Sequence, residues 1–286
     1  MPTRLAPTTL PTLDLGNTHP ETLREVARDT GAFLLVGHGI RPEVPAEVLD
    51  LARLFFSLPS SDKDAVAAAD SEQFRGWTAF GTGRATGWRE QFDVGAELPA
   101  VPTRHRTHPG QSLVGPNRWP TRVPALRDRT LWFQDRATEV ARAVLRQLAV
   151  GLGQPADVFD RNLAGDPATW TTLAREGRDS GIGPLRAHTD PGLLSLRWID
   201  AQTRGLQVQG DHRWLDTPGT SGAFLVTVGD GLAEATDGYL RDAAHRWLPT
   251  AEERATLTYT FDAPVDTAAP HLELPDTLIE DWPAAA

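Results

Sequence analysis

From Trp170 to Phe261 the chain is cut into short strand-like runs, GLLSLRWI, GLQVQG, RWLDT, GAFLVTVGD, AAHRW and RATLTYTF, separated by turn signals. Closely spaced short strands leave few choices beyond a β-sandwich or a β-barrel. The first half reads differently. PTLDL predicts a short strand, HPETLREVARDT a helix with Thr18 or His19 near its cap and Pro20 early in it, and GAFLLVGHG a buried strand ended by glycines around His38. RPEVPAEVLDLARLFFSLP predicts a second helix, with Val48, Leu51, Ala52 and Phe55 at helical spacing. The clearest helix runs from Ala125 towards Gly153, where Leu126, Ala137, Val140, Val144 and Leu148 keep one apolar side. Between them, residues 57–118 are rich in Gly, Pro, Arg and Trp and predict irregular structure with short strands, EQFDVG among them.

Composition then removes whole classes of chemistry. The 286 residues include no cysteine, which excludes disulfides, zinc thiolates, iron–sulfur clusters and cysteine nucleophiles. A protein-bound metal must therefore use His, Asp or Glu. With 28 basic and 38 acidic side chains the formal charge is −10, and no dense Lys/Arg run offers a footprint for nucleic acid. No apolar run approaches the roughly 20 residues of a membrane helix. MPTRLAPTTLPTLDL lacks the apolar core of a secretory signal, so a cytoplasmic protein acting without a membrane is expected.

The stretch LRAHTDPGLLSL places His188 and Asp190 two residues apart at the start of an apolar run. On a strand such a pair points to one face. His245, in DAAHRW, is the best candidate for a third ligand, and two histidines with one carboxylate make the facial triad of non-haem Fe(II) sites. An H-x-D triplet also arises by chance, and the 56 intervening residues could fold in many ways. A further pair strengthens the metal reading: Arg254 and Thr256 share a face of RATLTYTF and make a carboxylate receptor. Fe(II) on two neutral histidines and one aspartate carries one positive charge; Arg254 adds another, and a dicarboxylate neutralises both.

The ordered set of motifs resembles the isopenicillin N synthase-like branch of the Fe(II)/2-oxoglutarate oxygenases, over about Leu10 to Pro264. LPTLDL…GAFLLVGHGI is similar to the family's N-terminal segment, with Gly37 where the family has Asn; RLFFSLPSSDK, GWREQFDVG, HTDPGLLSL, GLQVQGDHRWLDTP, GAFLVTVGDGLAEATDGYLRDAAHRW and RATLTYTFDAP follow in the family's order. The resemblance implies a mainly β fold, a double-stranded β-helix or jelly-roll barrel with an N-terminal α/β segment and one long supporting helix. It implies a single domain over 1–286: an N-terminal segment to 120, supporting helices at 121–161, a catalytic core at 165–264 and a short tail at 265–286. By it His188, Asp190 and His245 hold Fe(II), and Arg254 with Thr256 holds the distal carboxylate of 2-oxoglutarate. The implied activity is a dioxygenase of secondary metabolism, with O2 as second co-substrate and ascorbate as a stimulant. It would hydroxylate, desaturate or cyclise a small molecule with release of succinate and CO2, as a monomer or small homo-oligomer. Alternatives are an iron/O2 oxidase of the same fold that does not use 2-oxoglutarate, and a non-catalytic metal-binding barrel.

Departures locate the open questions. The family's tyrosine-bearing strand before the H-x-D motif reads WTTLAREGRDSG here, leaving Thr172 or Arg175 as substitutes. Only 22 residues follow Pro264, which implies a more open pocket, a different lid or a completing partner. Arg197 stands where the family has an apolar residue; facing inward it would suggest an acidic substrate. Other substrate candidates are Trp198, Phe80, Arg84 and Trp88, with Arg75, Trp77 and Arg89. His38 reads as a turn residue, His105 and His108 as solvated loop residues, and Asp230 as part of a turn.

Overall fold

The computed structural model describes residues 9–83, 87–163, 165–177, 187–211, 213–248, 253–267 and 271–279. Its strands are β1 (Thr12–Asp14), β2 (Ala32–Val36), β3 (Gly76–Gly83), β4 (Gly87–Gly95), β5 (Ala168–Glu176), β6 (Leu194–Ile199), β7 (Leu206–Gln209), β8 (Trp214–Asp216), β9 (Ala223–Val228), β10 (His245–Trp247) and β11 (Arg254–Asp262). The helices are α1 (Pro20–Asp29), α2 (Glu43–Phe56), α3 (Ser60–Asp64), α4 (Ala125–Gly151), α5 (Val158–Asn162), α6 (Asp230–Ala235) and α7 (Asp276–Ile279). Eight strands form one sheet in the order β1-β2-β9-β6-β11-β5-β4-β3, and β10-β7-β8 form a second. The jelly-roll expectation holds as two facing sheets, but among the described residues they do not close into a barrel. Residues 57–118 depart in part from the irregular reading: EQFDVG is a strand as expected, but β3 and β4 form a long hairpin, and Arg89–Gly95 of β4 pair with β5. Their many glycines and polar residues masked strands whose other face is buried.

Alternation along the large sheet separates two cores. Phe33, Phe92, Leu173, Leu196, Phe224, Tyr259 and Phe261 pack with α1, α2 and α4 on one side. Ala32, Leu34, Ile199 and Leu225 pack on the other side with Leu206, Val208, Leu215 and Trp247 of the small sheet. This two-sided burial explains why β6 and β9 are mostly apolar and buried at all six positions. The period of two decides which polar residues go inside. Arg89, Gln91 and Asp93 of β4, Trp170, Thr172 and Glu176 of β5, Arg254, Thr256, Thr258 and Thr260 of β11, and Ser195 and Arg197 of β6 all take the small-sheet side.

Candidate metal centre and co-substrate corridor

His188 and His245 form an isolated antiparallel bridge, each backbone amide donating to the other's carbonyl at 3.1 and 2.9 Å. The pairing closes the 56-residue gap and stacks the rings with centroids 4.4 Å apart. Asp190 follows in the turn before β6. Its Oδ1 is 3.8 Å from His188 Nε2 and 3.6 Å from His245 Nε2. Among the described residues these three form the only group of three or more His, Asp and Glu side chains whose donor atoms converge, all within 4.8 Å. Donors sharing one ion at about 2 Å lie roughly 3–4 Å apart, so the residues present fit a metal.

Burial and support sharpen the fit. His245 is fully buried, and its Nε2 has no hydrogen-bond partner. Its Nδ1 lies 3.1 Å from the Ala243 carbonyl, which directs Nε2 at the donor cluster. Burial and the nearby Arg197 lower the His245 pKa to about 4, so its ring is neutral at neutral pH with a lone pair to give. Burial pushes the Asp190 carboxyl up; Arg197, His245 and the Thr227 hydroxyl, which donates to Oδ2 at 2.9 Å, outweigh it and hold the pKa below the usual range.

The metal loop is strapped to the turn after β9. Gly229 and Gly231 donate to the carbonyls of Leu193 and Gly192, Asp230 donates its amide to the Asp190 carbonyl, and the Asp230 carboxylate accepts from Gly192 at 2.9 Å. Gly192 has φ +83°, and a Cβ on Gly229 would sit 2.2 Å from the Gly192 carbonyl, so both positions need glycine. Asp230 is thus more than a turn residue. Sequence reading missed this, because the contact joins segments 38 residues apart.

The other end of the interior is built from cross-strand rows. Arg89, Glu176 and Arg254 stand in register on β4, β5 and β11, with Asp93, Thr172, Thr258 and Arg197 four residues along. Arg254 stacks its guanidinium 4.0 Å from the Trp247 ring centroid and pairs with Glu176 at 3.3 Å. Glu176, 1 % exposed, was not singled out in the sequence; alternation in ATWTTLARE is the signal that could have found it. Thr172 is in the same interior face, but its hydroxyl donates to Asp93 at 2.7 Å. Arg175 points the other way and pairs with Glu253.

Arg197 faces inward, 6 % exposed. Its Nε donates to the Thr258 hydroxyl at 3.2 Å and one terminal nitrogen lies 3.7 Å from Asp190 Oδ2. Trp198, one residue on, goes to the helix side and packs edge-on against Phe224; it lines a small recess with Trp247, Arg254 and Thr256 and is not among the residues of the metal-type cluster. Phe80 stands opposite Arg89 on the edge strand, 38 % exposed. Arg84 and the Trp88 side chain lie outside the described residues. Arg75 is structural: its buried guanidinium donates to the Ala96, Leu113 and Gly115 carbonyls. His38 bridges the Gly222 carbonyl and the Ile40 amide, as a turn residue should.

A cavity of about 680 Å³ opens against the metal loop, lined by Pro191, Thr260, Asp262, Trp170, Leu98 and Val265 among others. Among the described residues no helix is long and apolar enough to cross a membrane.

Known proteins match most of the chain. The model of the 2OG-Fe(II) oxygenase superfamily matches residues 174–263, and that of the non-haem dioxygenase in morphine synthesis N-terminal matches residues 10–122. The chain is 35 % identical to validamycin A dioxygenase of Streptomyces hygroscopicus subsp. limoneus over 82 % of its own length and 68 % of that protein's. It is 27 % identical to homoarginine-6-hydroxylase 2-ODD-233 of Oryza sativa subsp. japonica, covering 88 % and 80 %. In fold it resembles a 2OG-Fe(II) oxygenase family protein from Caulobacter crescentus, with a TM-score of 0.75, 20 % identity and 96 % and 98 % coverage. The chain belongs to the 2OG-Fe(II) oxygenase superfamily and is a non-haem dioxygenase that uses Fe(II), 2-oxoglutarate and O2 to oxidise a small molecule.

Proposed function

We propose that His188, Asp190 and His245 are the iron ligands, that Arg254 and Thr256 receive the distal carboxylate of 2-oxoglutarate, and that the substrate occupies the cavity beside Pro191 and Thr260. The observation that carries this reading is the convergence of three metal-type donors around the orphaned His245 Nε2. The ion, when bound, supplies the oxidising chemistry, drawing on O2 and the keto acid. The chain's own residues position. Thr227 and the Ala243 carbonyl orient two ligands, Asp230 fixes the loop that carries Asp190, and Trp247 and Glu176 hold the Arg254 guanidinium in place.

For the substrate, a neutral or amine-bearing metabolite suits the cavity better than an acid. Among the described residues Arg75 is its one lining cation and is consumed by backbone carbonyls, whereas Asp262 sits half-buried beside Gly192. Arg197 faces inward, but towards Asp190 and Thr258, and it does not line this cavity, so its orientation does not argue for an acidic substrate there. The chain's formal charge of −10 supports a small molecule over a nucleic acid. The test is anaerobic addition of Fe(II) and 2-oxoglutarate: a weak visible charge-transfer band is expected in the native protein and lost in His188→Ala. Substrate-dependent succinate release across panels of amines, neutral metabolites and acids then tests the substrate class. Exclusive turnover of acids would overturn it.

A further inference from the structure

Arg197 carries more donors than its neighbours use. Its side chain is buried, its Nε is taken by Thr258, and one terminal nitrogen approaches Asp190 Oδ2, an oxygen already receiving the Thr227 hydroxyl. The remaining terminal nitrogen, Nη1, is buried without a hydrogen-bond partner. A buried guanidinium N–H left unsatisfied is costly, and a carboxylate is the partner that meets a guanidinium best.

The charges point the same way. On this interior face the guanidinium groups of Arg89, Arg197 and Arg254 meet the carboxylates of Glu176 and Asp93. Glu176 pairs with Arg254, and Asp93 accepts hydrogen bonds from Thr172, Trp170 and Gln91. Three guanidiniums against two carboxylates leave one positive charge over on this face, and the only carboxylate that Arg197 meets among the described residues is Asp190 of the triad. Asp190 balances it only while no cation draws on that carboxylate. Iron on the triad would turn the Asp190 neighbourhood positive, and Arg197 would then face a cationic site. A dianion restores neutrality, with one of its charges needed at the metal end. Arg197 is placed for this, because it touches the triad through Asp190 and the corridor through Thr258, which lies two residues from Thr256 on the same face. Its charge is felt at both ends, by His245 and by Arg89.

We propose that Arg197 binds the metal-end carboxylate of 2-oxoglutarate, so that the co-substrate is held by a guanidinium at each end, Arg197 beside the triad and Arg254 at the far end. The inference rests on the ligand assignment proposed above. It makes Arg197 a co-substrate residue in place of the apolar side chain found there in the family this chain resembles. One consequence separates it from Arg254: Arg197 serves every α-keto acid, while Arg254 serves those with a distal carboxylate.

The experiment is an anaerobic titration of the Fe(II)-loaded protein, read from the charge-transfer band, with 2-oxoglutarate and with 2-oxobutyrate, which lacks the distal carboxylate. Arg197→Met is expected to raise the Kd of both at least about tenfold, as the loss of a charge-assisted hydrogen bond implies. Arg254→Met should raise that of 2-oxoglutarate alone, and Arg197→Lys should recover part of the loss. Fe(II) affinity, measured by chelator competition, should be unchanged or tighter in Arg197→Met, because a positive charge has been removed from beside the ion. If Arg197→Met does not fold, as judged by thermal melting, Arg197→Gln carries the same comparison. Native Kd values for both keto acids would overturn the proposal. So would a loss matched by an equal loss of Fe(II) affinity, which would make Arg197 a positioning residue for Asp190. If the native protein gives no band, the ligand assignment itself fails; a native band with unaltered Arg197 variants sinks only this inference.

Discussion

The two ends of the interior corridor are assembled on opposite principles. At the metal end, donors converge with nothing between them: His245 Nε2 is buried and unpartnered, and Asp190 Oδ1 lies within 4 Å of both imidazoles. At the far end the guanidinium of Arg254 already has a carboxylate, Glu176, in the next strand. One end gathers metal-type donor atoms within 4.8 Å of one another; the other holds an internal anion that, on the proposed assignment, an incoming carboxylate must share or displace. The difference teaches that pre-organisation and affinity are separable. Glu176 keeps Arg254 in place and, on the proposed assignment, competes with the co-substrate carboxylate for it.

The comparison can be broken most severely at the metal end. Asp190→Ala should abolish Fe(II) binding and reduce turnover by about a thousandfold or more, since it removes the one anionic donor of the triad; iron content after anaerobic loading and succinate release measure it. At the other end, Arg254→Met should raise the Kd of 2-oxoglutarate by about a hundredfold, from loss of a charge-assisted bidentate contact, with Fe(II) affinity near native. Thr227→Val, which removes the hydroxyl on Asp190 Oδ2, should weaken Fe(II) binding by about tenfold, the usual scale for such support. Glu176→Gln sharpens the contrast in the opposite direction. 2-Oxoglutarate should bind several-fold tighter, on the order of a like-charge competitor's removal, while the ligand-free protein melts lower because Arg89 and Arg254 lose their shared counter-charge. The smallest effect comes from a histidine remote from both ends. Burial lowers the His38 pKa below its usual 6.5, so the unfolded chain takes up the proton first as the pH falls. The His38 contribution to stability is therefore complete above pH 6.5 and declines below it. A His38→Gln variant should show a shallower loss of urea midpoint on acidification from that pH.

Legibility followed contact range. His188 and Asp190 were readable because they lie two residues apart, and Arg254 with Thr256 for the same reason. The element was not quite as expected: His188 occupies a single bridge and Asp190 a turn, with β6 beginning only at Leu194. The convergence holds because the bridge to His245 replaces a continuous ladder. The long helix and the two helices before it were legible from 3.6-residue periodicity, with α4 spanning Ala125–Gly151. Of the β3–β4 hairpin only EQFDVG was legible; β3, GWTAFGTG, lacks a clear apolar alternation and takes its strand character from pairing with β4. Trp198 and Arg197 show the limit most simply. Neighbours on one strand must face opposite ways, but nothing local says which one faces the metal.

By itself the sequence determined the chemical repertoire: no thiols, two histidines and a carboxylate for a hard cation, an arginine–hydroxyl pair for an anion, and enough short strands for facing sheets. These follow from residue identity and from periods of two and 3.6, both local properties. Only the tertiary structure decided the partners: Glu176 on Arg254, Asp230 on the metal loop, Thr227 and Arg197 on Asp190. Each of these contacts spans 7 to 78 residues and depends on strand order and register, which no local pattern encodes. Whether a charged side chain ends in a ligand site or in a structural pair is set by what the facing strand presents to it.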